Sequence, residues 1–311
     1  MDIEGETFDD LLRKSLQLLL ERGHPIEPTK KKAIELIGVC LRLENPRARF
    51  SRTENRGVLY SALGETLWYL SGSDEFDPIE YYIQGYRKHC GSPPADVKSS
   101  EAAYGPRLAS QMEFIKEQIR KRDTRKAVIS IYRQADQQNQ YDVPCTCILQ
   151  FFPRSGALHA MAQMRSNDVY MGMAHDIFAF TMLQELLARS ASLEVGTYIH
   201  QVGSFHLYDK DRTKAEKYLK RGVPDTVPMD AMPEGDPEGG LSWLLGMERA
   251  LRVGKAMPDA SDIDPYWQDL ARLLQVRQLR KAKDRVGLRA IREGMHTKVY
   301  HTFIQDEISK A

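Results

Sequence analysis

The chain has 311 residues, 42% of them hydrophobic and 28% charged, with 44 basic against 43 acidic side chains and a net charge of +1. This is ordinary globular composition, enough for one large α/β domain or two small ones. It excludes disorder and the global positive field that a nucleic-acid polymer or an anionic membrane would need. Four cysteines, Cys40, Cys90, Cys145 and Cys147, are too few and too scattered for a disulfide framework. The C-x-C spacing of the last two lacks the histidines of a zinc site, so no metal is expected. The opening Met-Asp-Ile-Glu-Gly-Glu has no basic n-region and no apolar run approaches membrane-spanning length, so a soluble, cytoplasmic protein is expected.

In chain order, Thr7-Phe-Asp-Asp10 has capping-box character, and Phe8, Leu11, Leu12, Leu16 and Leu19 keep one helical face up to Gly23. Alternation at Ile37, Val39, Leu41 and Leu43 predicts a strand half buried on one face. A polar, arginine-rich connection from Asn45 to Gly57 leads into a helix over Val58 to Leu70, with Gly72 as its stop. Glu65 lies inside that helix between Leu63, Leu67 and Trp68. It is either an exposed helix glutamate or a carboxylate whose apolar setting lifts its pKa toward acid/base range. The stretch from His89 to Ala103 is turn-rich and leads to Tyr104-Gly105, and Pro106 opens an amphipathic basic helix to about Arg122. A strand is expected over Ala127 to Tyr132.

Cys145 stands between Pro144 and the alternation Cys147, Leu149, Phe151, which reads as a buried strand; its thiol is either inert packing or a nucleophile. Strands over Thr146–Phe152 and Leu158–Arg165 are joined by a tight turn at Arg154-Ser-Gly156. Arg165-Ser-Asn-Asp168 reads as a polar loop before a helix from about Asp176 to Ser190, where backbone N–H groups and an arginine suit an anion. A further strand over Thr197–His200 leads to His206 and Tyr208. From Asp209 onward the chain is charged and helix-patterned, with no internal repeat. A thiol enzyme acting covalently on a free phosphorylated molecule is the reading these runs suggest.

Pro144-Cys145, Gln150-Phe151, Arg165-Ser166-Asn167-Asp168, Gly172, Asp176 and Gly203-Ser-Phe-His206-Leu-Tyr208 closely resemble, in order and spacing, the signature of the thymidylate synthase family. The resemblance covers roughly the first two-thirds of the chain. It implies a thymidylate synthase-like α/β fold: a large mixed sheet with helices on one face and homodimerisation through the other. Residues 1–311 then form one domain with a divergent helical C-terminal region from about 209. The cofactor it implies is 5,10-methylenetetrahydrofolate, and the substrate a small pyrimidine nucleotide. By the same resemblance Cys145 is the nucleophile that adds to the pyrimidine C6. Glu65 and Tyr104 assist at the ring, Arg165 and Ser166 bind phosphate, and Arg125 and Lys126 reach across the dimer to the partner's phosphate. One family arginine is replaced at Lys126, which keeps the charge and loses the fork geometry. His206 and Tyr208 bind the sugar, and Asp168 lies near the folate pterin, against an alternative as an ordinary capping aspartate. The family's phosphate-loop arginine is unmatched, with Lys30, Lys31 and Lys32 in that area.

One departure carries weight. Uracil-specific members have asparagine at the base-reading position, and this chain has Asp176. A carboxylate accepts from the N4 amine of cytosine and repels the O4 of uracil. The resemblance therefore points to the cytidylate hydroxymethylase branch, in which water rather than hydride completes the reaction at C5. Ala179, where thymidylate synthases carry serine, shifts the expectation from dCMP toward CMP, as in enzymes of nucleoside-antibiotic pathways. The alternatives are a dCMP hydroxymethylase, a thymidylate synthase, and a nucleotide-binding paralogue without turnover.

Overall fold

Helix α1 (Phe8–Arg22) starts where its sequence said it would. Thr7 Oγ1 accepts from the Asp10 amide at 3.1 Å and the Asp10 carboxylate accepts from the Thr7 amide at 3.0 Å, closing the capping box. Strands β1 (Asp2–Gly5), β2 (His24–Ile26) and β3 (Ala33–Leu43) surround it in sequence. The computed structural model describes residues 1–28, 31–51, 59–222 and 227–311. Lys30, the arginine-rich connection over 52–57, the start of the next helix at Val58 and the break at 223–225 lie outside those residues.

Helices α2 (Leu59–Leu70), α3 (Phe76–Tyr82), α4 (Tyr86–His89), α5 (Tyr104–Ala109) and α6 (Met112–Ile119) precede β4 (Val128–Ser130), β5 (Thr146–Arg154) and β6 (Ala157–Asp168). Then come α7 (Gly172–Ser190), β7 (Glu194–Tyr208) and α8 (Asp209–Lys220). The chain ends with α9 (Glu238–Val253), α10 (Pro265–Lys281), α11 (Arg285–Glu293) and α12 (His301–Lys310). Among the described residues the strands form one mixed seven-stranded sheet in the order β1-β3-β7-β6-β5-β4, with β2 also on β3. β1–β3 and β6–β7 are parallel and the other pairs antiparallel. This is the large mixed sheet that the sequence led us to expect. None of the described helices is long and apolar enough to cross a membrane.

Register explains which side chains enter the core. The row Leu41, His200, Ala162, Leu149 crosses β3, β7, β6 and β5, and all four are buried. α1 and α7 pack on the sheet within the same apolar cluster. Ile37 departs from its expectation: it is 80% exposed, not part of the buried alternation. Gly38, at φ +72°, interrupts the pairing of β3 with β7 and switches the inward parity from Ile34 and Leu36 to Val39 and Leu41. The tight turn after β5 forms as expected, with Ser155 and Gly156 both at positive φ, the geometry of a two-residue hairpin.

Three further expectations change. The helix from Pro106 to Arg122 is two helices, and Tyr104 is the first residue of one of them, not part of a turn. Gln111 and Ser110 cause the break: their side chains donate to the Arg107 carbonyl at 2.7 and 3.1 Å, and Gln111 also bonds the Ser130 amide and carbonyl on β4. The expected strand over Ala127–Tyr132 shortens to three residues. The polar loop at Arg165–Asp168 is the end of β6, its ladder continued against β7 as far as Asp168–His206. α7 consequently starts at Gly172, a turn earlier than expected. The amides of Tyr170 and Met171 ahead of it already donate to the Asp168 carboxylate, so they are not open to an outside anion.

The C-terminal helices pack on α2 and α7 in a second apolar cluster that includes Leu63, Phe178, Met182, Leu244, Leu270 and Ile304. A buried carboxylate ties them down. Glu185 on α7 accepts from Arg49, from Arg47 at 3.0 Å and from the Met232 amide at 3.0 Å, and Arg189 donates to the Met232 carbonyl at 2.9 Å. Burial alone would raise the Glu185 pKa, but Arg49 and these donors hold it below the usual range. Glu185→Ala would leave Arg49 buried without its counter-charge. We expect a loss of about 3–5 kcal/mol in urea unfolding, with no change in the denaturant slope.

Candidate active site

Cys145 is the last residue before β5, and the strand start is shaped for it. A bulge at Cys147, where Thr146 pairs with Met164 but Ile148 with Gln163, bends the entry to the strand. The Thr146 amide donates to Tyr104 Oη at 3.1 Å, fixing that hydroxyl beside the thiol. Arg165 braces the same turn three times. Its amide donates to the Cys145 carbonyl at 2.8 Å, its Nε to the Pro144 carbonyl at 2.9 Å and its Nη2 to the Val143 carbonyl at 2.8 Å. Burial pushes the Cys145 thiol up to about 11; the Arg165 guanidinium opposes this, and Asp176 and Asp142 add to it. At neutral pH this side chain is therefore a thiol.

Glu65, which the sequence left between two readings, is buried on α2 and hydrogen-bonded by Tyr69 Oη at 2.9 Å. Burial lifts its pKa to about 7, with the Tyr69 bond opposing, so it can exchange protons near neutrality. The Tyr69 ring stacks on Tyr104 at 4.9 Å, and Tyr104 lies 6.5 Å from Phe180 of α7. Asp176, in the second turn of α7, is raised to about 8 by burial first and then by the Glu65 and Asp168 charges, against one opposing hydrogen bond from Asn167. Cys145, Tyr104, Glu65 and Asp176, distant in sequence, are one electrostatically coupled group.

Asp168 pairs across the sheet with His206, whose ring lies 4.8 Å from that of Tyr208 in an edge-on arrangement. Lys31 and Lys210 approach the Tyr208 ring at 6.0 and 5.9 Å. Tyr208 feels both Asp168 and Cys145, so this pair borders the thiol group. Ser166 lies next to it on β6, opposite Ser204 of β7. Asp168 does not cap α7, whose N-cap is Met171 with no side-chain cap bond; its Oδ1 and Oδ2 accept from the Tyr170 and Met171 amides at 3.0 and 3.3 Å in the turn before the helix. Arg125 and Lys126 are exposed ahead of β4 and make no side-chain contact with the group around Cys145 among the described residues. Ala179 is 3% exposed within the main core, one turn along α7 from Asp176.

The sequence reading missed a line of buried polar side chains behind Asp176. Asn167 Nδ2 donates to Asp176 Oδ2 at 2.7 Å, Asn167 Oδ1 is 2.9 Å from His200 Nε2, and His200 Nδ1 is 2.8 Å from Tyr198 Oη. Burial pushes the His200 pKa down to about 3, so its ring is neutral. Gly172 leaves room for the contact, since a Cβ there would lie 3.2 Å from Asn167 Nδ2. Asn167 belongs to the Arg165–Asp168 run, but its contact with His200 of β7, which the register pairs with Ala162, has no local signal.

The Thymidylate synthase family model matches residues 13–234. The thymidylate synthases of Listeria monocytogenes serotype 4a and Listeria innocua serovar 6a are each 30% identical to the chain over 131 residues, 42% of its length. That stretch spans 40% of the length of each relative. The family draws its one-carbon unit from 5,10-methylenetetrahydrofolate, and since its model matches more than half of the sequence, the chain belongs to the thymidylate synthase family.

Proposed function

We propose that the protein modifies C5 of a pyrimidine nucleoside monophosphate through a covalent bond from Cys145 to C6, and that the base is cytosine. The observation that carries this reading is Asp176: a carboxyl group coupled to Cys145, with Oδ2 engaged by Asn167 and Oδ1 without a partner among the described residues. An ionised Oδ1 accepts from an exocyclic amine and repels a carbonyl oxygen.

The chain's own groups supply the remaining steps. Cys145 loses its proton as Sγ bonds C6, which makes C5 nucleophilic. Glu65 and the Tyr104 hydroxyl are the groups beside the ring able to relay protons, including the one lost from C5. When bound, 5,10-methylenetetrahydrofolate supplies a one-carbon unit to C5. The residues fit it, because each Asp168 oxygen uses one lone pair on a backbone amide and keeps another for a pterin N–H. With tetrahydrofolate as the leaving group, water adds at the one-carbon unit to give the hydroxymethyl product, and Cys145 Sγ leaves C6 and regains its proton. Arg165, Ser166, His206 and Tyr208 are the proposed phosphate and sugar contacts. Arg125 and Lys126 reach a partner's phosphate across a homodimer formed on the sheet face that carries the exposed Ile37.

A second reading, thymidylate synthesis, is favoured by the names that the Listeria relatives carry. Steady-state kcat/KM for CMP, dCMP and dUMP on one preparation, with product mass, separates the two. We expect CMP to lead, given Ala179, and the product to carry a hydroxymethyl group. Preference for dUMP with a methyl product overturns the cytidylate reading, and nucleotide binding without any turnover overturns the enzyme reading.

A further inference from the structure

The polar line behind Asp176 has a direction that the buried hydroxyl at its far end sets. Among the described residues Tyr198 Oη has one hydrogen-bond partner, His200 Nδ1. If Nδ1 carried the ring proton, the tyrosine O–H would be buried with no acceptor, whereas a donating O–H leaves only a lone pair unmatched. Tyr198 therefore donates to Nδ1, and a neutral ring then carries its proton on Nε2. Nε2–H donates to Asn167 Oδ1, and the amide is left with its NH₂ toward Asp176. Reversing the Asn167 amide would set its carbonyl against the carboxylate and its NH₂ against the ring N–H, so both contacts would fail.

Asp176 needs such a donor. It is faced by Glu65 and Tyr69 from α2, Tyr104 from α5, Asp168 from β6, Tyr198 from β7 and the thiol of Cys145. None of these is a cation, and burial adds to their effect in favouring the protonated acid. Asn167 is the opposing influence.

We propose that Asn167, ordered by His200 and Tyr198, is a positioning residue that holds an N–H on Asp176 Oδ2 and so favours the ionised form of the carboxylate, whose Oδ1 accepts the exocyclic amine of a cytosine. The last part rests on the cytidylate reading above; the direction of the hydrogen-bond line does not.

Two measurements test it on the full chain. Nitrogen NMR of the histidine rings, without nucleotide and with His200 assigned from its loss in His200→Gln, is expected to show a neutral ring protonated on Nε2. A ring protonated on Nδ1 overturns the proposal, even if Asn167→Leu and His200→Phe do not fold. In kinetics, Asn167→Leu is expected to move the pH midpoint of cytidylate kcat/KM upward by about one unit, with about a ten-fold loss near neutral pH that uridylate does not share. His200→Phe should shift the same way, and His200→Gln, which can still donate to Asn167, should restore most of the loss. An unmoved midpoint, or an equal loss with both nucleotides, overturns it. A wild-type protein that turns over uridylate alone refutes the cytidylate reading, while the ring tautomer still decides the direction of the line.

Discussion

Cys145→Ser is expected to lower turnover by roughly a thousand-fold or more while nucleotide binding stays measurable by titration calorimetry. The side chain keeps its shape, and the Arg165 contacts to Val143, Pro144 and the Cys145 carbonyl involve main-chain atoms that the substitution does not touch. What is lost is ionisation, because a serine hydroxyl holds its proton far more tightly than a thiol, and this thiol is already raised to about 11. Cys147→Ser provides the contrast. Cys147 occupies the bulge in β5, where its carbonyl accepts the Ile131 and Tyr132 amides at 2.9 and 3.0 Å. A mild effect is expected there. Equal losses in both variants, or sustained turnover in Cys145→Ser, would refute the covalent role.

Asp176→Asn is expected to invert the base preference. The carbonyl of the introduced amide can take the place of Oδ2 and still accept from Asn167, which puts the amide nitrogen where Oδ1 was and turns an acceptor for N4 into a donor for O4. Cytidylate kcat/KM should fall by about ten- to a hundred-fold, the range of one misplaced charged hydrogen bond, with uridylate binding tighter than in the wild type. The same substitution should flatten two pH profiles. Wild-type cytidylate kcat/KM should rise as the pH approaches about 8, where the carboxyl ionises, and the variant should lack that rise. For stability the sign is opposite. A carboxyl raised by folding contributes its full stability below its unfolded pKa of about 4. The contribution is lost as the pH rises through about 8. Above that pH the variant should therefore unfold at a higher temperature than the wild type, which thermal melts across the range will show. An unchanged base preference means that the base is read elsewhere.

Much of the site was legible in the sequence because its chemistry sits in short contiguous runs. Pro144-Cys145 and Arg165-Ser-Asn-Asp168 are local patterns, as is the apolar setting of Glu65. The capping box at Thr7 and the positive-φ turn at Ser155-Gly156 likewise depend only on neighbours in the chain. Tertiary structure decided what local pattern cannot encode. In β3, Ile37 keeps the outward side opposite to Ile34 and Leu36, and Gly38 at positive φ changes the inward parity only after it, where Val39 and Leu41 are buried. Pairing of β6 with β7 carried Arg165–Asp168 into a ladder and not a loop, since backbone amides inside a sheet must find partners. The packed fold also brought the His200 side chain to Asn167, 33 residues away. Burial, a property of the whole packed molecule, set Asp176 near 8 and Cys145 near 11, because a charged group loses its water whatever residues stand beside it in sequence.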